Sequence, residues 1–115
     1  WDVNGLLDRS GNSPRRCLLI LSAFLGGYEG ILKEIQESKA VADPTKLGSA
    51  SHSLKGVLLE AGSTKASKIA ALMEQLCKEG KKDAAEALWP ELEEETILFS
   101  KVVSEVHQEL SQPMQ

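Results

Sequence analysis

The chain has 115 residues, 12.5 kDa, and a formal net charge of −4, with 42% hydrophobic and 26% charged residues. That length gives one domain over residues 1–115, and that composition excludes a disordered tail. The acidic balance and only five aromatics (2 Trp, 1 Tyr, 2 Phe) argue against a nucleic-acid binder, which needs a basic face to displace counterions.

Leu, Ala, Glu and Lys supply 51 of the 115 residues, a helix-forming bias. After an apolar lead (Val3, Leu6, Leu7), Ser13-Pro14 reads as an N-cap followed by a first-turn proline. Apolar residues from Cys17 to Ile35 recur in steps of three and four, so one helix is expected, continuous across Gly26, Gly27 and Gly30. Asp43-Pro44 repeats the start signal, and the second helix carries Leu47, Ala50, Leu54, Val57, Leu58 and Ala61 on one face. Gly62 ends it and Ser63 is expected to cap the third helix, which runs to Gly80. Asp83-Ala84-Ala85-Glu86 has capping-box spacing for a fourth helix reaching Leu110, kinked early by Pro90. The tail, residues 111–115, should fray. The expected fold is all-α, an antiparallel four-helix bundle with a short N-terminal lead-in helix.

Cys17 and Cys77 lie far apart without Cys-x-x-Cys spacing and read as reduced core thiols of a cytoplasmic protein. No stretch of 18 apolar residues or signal-peptide pattern occurs, so no direct membrane insertion is expected. The chain begins at Trp1 rather than Met, which suggests a segment of a longer protein.

The catalytic inventory is sparse. There is no Walker loop, no G-x-G-x-x-G and no G-x-S-x-G. Neither histidine follows a glutamate by three positions, as a carboxylate-bridged metal site in a bundle would require, so no metal or cofactor is expected. The run Glu91, Glu93, Glu94, Glu95 reads as a solvated face, and His107 as a surface residue near a helix end.

His52 stands apart. At ~100° per residue it lies about 160° from the centre of the second helix's apolar face, so it should point to solvent. Its helical neighbours are Gly48, Ser49, Lys55 and Gly56. Each glycine costs up to ~1 kcal/mol relative to alanine. Both fall on the outward side, which argues against close helix packing and for cleared space around an imidazole. Lys55 could neutralise a phosphate there. Between Pro44 and Leu59 there are two lysines and no acid, so the face should be locally positive. Leu59 on the same side could add apolar docking contact.

Ser51-His52-Ser53-Leu54-Lys55-Gly56, with Gly62 beyond it, resembles the A-H-x-L-K-G-x5-G pattern of histidine-containing phosphotransfer (HPt) domains. Further likeness lies in Asp43, in Leu72-Met73-Glu74, in Gly80 with Asp83, in the stretch from Leu88 to Glu95, and in Leu6-Leu7-Asp8-Arg9 with Gly11. Ser51, Ala50 and Ala66 depart from the usual residues of that family.

The resemblance implies a phosphorelay carrier without its own ATP-dependent kinase activity. His52 would accept a phosphoryl group from a receiver-domain aspartate and pass it to another receiver. Lys55 would assist electrostatically and Gly56 would keep the approach open, with Gly48, Ser49 and Leu59 in partner docking. The partners implied are response-regulator receiver domains, which would bring the Mg²⁺, and the domain itself would be monomeric. The setting implied is cytoplasmic, for instance the end of a membrane-bound hybrid sensor kinase. The alternative is a bundle that binds receivers as a scaffold and transfers nothing. A dimerising histidine-kinase domain ranks lower, because Ser53 stands where an acid usually follows the histidine. A Lys55→Ala change, read as a surface change, should alter stability by no more than about 0.5 kcal/mol.

Overall fold

The structure is a computed structural model that describes residue 6, residues 10–41 and residues 43–111. Five helices follow one another: α1 (Pro14–Ser38), α2 (Pro44–Ala61), α3 (Lys65–Lys78), α4 (Lys82–Ala87) and α5 (Trp89–Ser111). No strand occurs among the described residues. The four longer helices form the antiparallel bundle, with α2 packed between α1 and α3 and α5 closing against α1 and α3. The molecule measures 54 × 22 × 18 Å, as expected when helices of more than 20 residues lie side by side. No helix among the described residues is long and apolar enough to cross a membrane.

The start signals at the first two long helices work as the sequence implies. Ser13 accepts the Arg16 N–H at 3.3 Å, with Pro14 in the first turn. Asp43 accepts both the backbone N–H (2.9 Å) and the hydroxyl (2.7 Å) of Thr45. That backbone donor, then the hydroxyl, hold the Asp43 carboxyl below the usual carboxylate range. Helix α1 runs unbroken through its glycines. A Cβ at Gly26, Gly27 or Gly30 would meet nothing within 4 Å, so these residues lie off the packed face and its stripe stays in phase. Cys17, Leu21, Phe24 and Ile35 are buried along that stripe, and Phe24 meets Phe99 edge-on at 5.2 Å. Gly62, at φ 93°, closes α2 in the left-handed conformation that only glycine adopts without strain.

Other start signals fail. Thr64, not Ser63, precedes α3, and no side chain caps it. Ser63 is buried, and its N–H completes the α2 terminus on the Leu58 carbonyl at 2.9 Å. The Asp83 capping box is absent too. Lys81 occupies the cap position without a side-chain bond, and Asp83 sits inside the first turn of α4. Pro90 does not kink one long helix but divides two. Helix α4 is capped at Leu88, a turn residue that keeps right-handed backbone angles (φ −85°, ψ −11°), and α5 starts at Trp89, so Pro90 falls in a first turn, where its missing N–H matters least.

The predicted lead-in lies mostly outside the described residues. Of it, Leu6 is buried and helical, and Ser10 is buried with its hydroxyl 3.0 Å from the Cys17 sulfur. Of the predicted frayed tail only Ser111 is described, as the last residue of α5. Both cysteines are buried and free. In the acidic run, Glu91 and Glu94 are exposed while Glu95 is half-buried and pairs with Lys65 at 3.0 Å.

Candidate functional site

The packed face of α2 consists of Leu47, Ala50, Ser51, Leu54, Leu58 and Ala61, all buried. Ser51, which replaces a more usual alanine, is satisfied by donating to the Leu47 carbonyl at 2.8 Å, so the substitution leaves no orphan hydroxyl. With that face inward, His52 is turned outward and its side chain is 66% exposed.

The imidazole is nevertheless not free. Its Nδ1 lies 2.7 Å from Oε2 of Glu74 on α3, and the other oxygen of that carboxylate, Oε1, accepts from Lys55 Nζ at 2.6 Å. An ionised carboxylate can only accept. Nδ1 must therefore carry the hydrogen, and in the neutral ring the lone pair is left on Nε2, away from Glu74. Glu74 is nine-tenths buried, 10% exposed at its side chain. The Lys55 ammonium is the main influence that holds its carboxyl below the usual carboxylate range; burial opposes this, and the His52 bond adds to it. Lys78, one turn further along α3, has its Nζ 3.8 Å from Oε2 of the same carboxylate.

An open cleft of about 670 Å³ adjoins the ring, lined in part by Pro44, Gly48, Ser49, Glu74, Cys77 and Lys78. Burial pushes the Cys77 thiol up, which keeps it protonated and unreactive. Ser49 is exposed beside the cleft, and Leu59, 50% exposed, lies further along α2 and does not line it.

Two expectations about this face need correction. The first concerns the glycines. Gly56 has open space at its Cβ position, as a cleared approach requires. Gly48 does not: a Cβ there would sit 3.1 Å from the Cys77 Cβ. Gly48 is thus a close-packing glycine between α2 and α3. It lies at the edge of the packed face rather than opposite it. The second concerns charge. The stretch from Pro44 to Leu59 holds no acid, but α3 inserts one, so Lys55 begins paired with Glu74 rather than unengaged.

Glu74 is the side chain bonded to His52 and Lys55 that reading α2 alone misses. A signal for it exists in α3. Glu74 falls in phase with Ala70, Met73 and Cys77, all buried, so helical spacing places a carboxylate on a packed face. Such a group needs partners from a neighbouring helix.

His107 is half-buried rather than fully exposed, and its Nε2 lies 2.7 Å from the Ser22 hydroxyl. Among the described residues no group of three or more His, Cys, Asp or Glu is arranged to hold a metal ion.

The family model of the Hpt domain matches residues 19–112, a span that contains α2 to α5 whole and α1 from residue 19 onward. No curated protein matches the chain, and no solved structure does. With that match over most of its length, and a helical bundle presenting an outward histidine, the chain belongs to the Hpt domain family, the histidine phosphotransfer domains of phosphorelays.

Proposed function

We propose that this domain accepts a phosphoryl group on Nε2 of His52 from a phosphorylated receiver-domain aspartate and passes it to another receiver. The observation that carries the reading is the 2.7 Å bond from His52 Nδ1 to the buried Glu74 carboxylate, on a ring otherwise open to solvent. It supplies an oriented nucleophile with its lone pair outward.

The step balances without an acid or base from this chain. The Nε2 lone pair forms the N–P bond, the P–O bond to the aspartate breaks, and the aspartate leaves as a carboxylate. The ring becomes a phosphorylated imidazolium that keeps its Nδ1 proton, and Glu74 stabilises that positive charge through the bond already in place. In the return step the same proton makes the ring a neutral leaving group. Lys55, three residues after His52, turns toward the phosphoryl oxygens, and Gly56 leaves room for the receiver. Gly48 acts only indirectly, by holding α2 close to α3. Ser49 and Leu59 contribute docking surface. The Mg²⁺ belongs to the receiver, whose aspartate it serves. The domain carries the group without a kinase activity of its own, as members of this family do.

The test is incubation with a receiver labelled on its aspartate. Acid-labile, base-stable label should appear on the domain, and His52→Gln should take up none. Label retained by His52→Gln, or receiver binding without any transfer, overturns the assignment; the second outcome would make the domain a scaffold.

A further inference from the structure

Lys55 has two tasks in that reading, and they conflict. In the structure it holds Glu74 Oε1 at 2.6 Å, and during transfer it must face the phosphoryl group. A phosphoryl group brings about two negative charges against one on the carboxylate, so it draws the ammonium away. Glu74 would then lose the partner most responsible for keeping it ionised, while remaining nine-tenths buried. Until the N–P bond forms, the His52 ring is neutral, so while the donor is engaged this buried carboxylate has no hydrogen-bonding cation, which is costly.

One cation stands ready to replace it. Lys78 Nζ is 3.8 Å from Glu74 Oε2, within ion-pair range yet beyond hydrogen-bond length. Its side chain is 67% exposed, so little packing resists a small movement. It sits one helical turn after Glu74 on α3, the spacing at which such side chains meet. It also borders the cleft beside His52. In the resting arrangement Lys78 is surplus, because Oε2 is taken by His52 and Oε1 by Lys55.

We propose that Lys78 is the reserve cation of the site: when Lys55 turns to the phosphoryl group, Lys78 closes on Glu74 and keeps the carboxylate ionised. The proposal rests on His52 being the acceptor. Lys78 is thereby a positioning residue. It acts through Glu74 and need not touch phosphorus.

The experiment uses phosphoramidate as donor, so that no receiver docking enters. Its P–N bond breaks, ammonia leaves, and the new N–P bond forms on His52. Lys78→Ala should slow label uptake at least three-fold, and Lys78→Arg should restore it. The deciding arm is the Glu74→Gln background. With no carboxylate to balance, adding Lys78→Ala there should change the rate by less than 1.5-fold. An unaltered rate in Lys78→Ala overturns the proposal. So does an equal slowing in both backgrounds, which would make Lys78 a direct phosphoryl contact. Failure of the parent reading looks different: His52→Gln would still take up label from phosphoramidate.

Discussion

The molecule holds two histidines at two helix contacts, and the contrast between them is instructive. At the α2–α3 contact, His52 is largely exposed and its Nδ1 meets a buried carboxylate flanked by two lysines. At the α1–α5 contact, His107 is half-buried and its Nε2 meets the Ser22 hydroxyl. A hydroxyl can donate or accept, so it does not dictate where the ring proton resides. A carboxylate does. The difference lies in what grips the ring from behind: the carboxylate fixes which nitrogen keeps the lone pair, and the hydroxyl does not.

The largest effect should come from exchanging the two rings in turn. His52→Gln should remove all phosphoryl label, whereas His107→Gln should leave uptake from a phosphorylated receiver within about two-fold of the parent, measured side by side. Equal losses would erase the comparison.

Next in size is Lys55→Ala. Lys55→Ala removes a hydrogen bond to a nearly buried carboxylate, so even with Lys78 closing on Glu74 it should cost about 1 kcal/mol in denaturant unfolding rather than the 0.5 kcal/mol of a surface change. Lys101, exposed on α5, provides the contrasting surface substitution.

Glu74→Gln should act gently, since its amide oxygen can still accept from Nδ1. Losing the charge on one hydrogen bond corresponds to about 1 kcal/mol, or about five-fold in the transfer rate. Ser22→Ala should leave that rate unaltered. The same Glu74→Gln variant should flatten the acid limb of the stability curve. Glu74 has a folded-state pKa below its unfolded value, so its contribution is complete at neutral pH. That contribution is lost as pH falls from about 4.3, an ordinary glutamate value, through the lower folded value. An unaltered acid limb in Glu74→Gln would mean that its pairing contributes nothing.

The smallest effects separate the two glycines beside His52. Gly56→Ala adds a methyl group to open space and should gain up to about 1 kcal/mol from helix propensity. Gly48→Ala should gain less or lose, because the new Cβ presses on Cys77 at 3.1 Å. Thermal midpoints a few degrees apart, in that order, would support the two distinct roles.

The sequence makes the frame of this site legible and hides its back wall. Helical phase alone turns His52 outward, and the Asp43-Pro44 and Gly62 signals bound its helix, because these depend on spacing within one segment. Glu74 depends on the register between two helices. That register is set by contacts such as Gly48 against Cys77, which no single-helix pattern contains. The end signals that failed did so for a related reason. Ser63 has capping chemistry, but the chain needs its N–H to finish α2. The break before Pro90 likewise reflects a choice between a kink and a fresh start, and burial of Trp89 belongs to the start that was taken.

The close approach of Gly48 to Cys77 has a mechanical consequence. His52 rides on α2, but its aim is tied to α3, so the spacing of these helices works as the sighting adjustment of the proposed acceptor. A bulkier side chain at position 77 would wedge that spacing open and swing Glu74 away from the ring. Acceptor geometry would drift with the fold otherwise standing and every residue of the α2 motif intact.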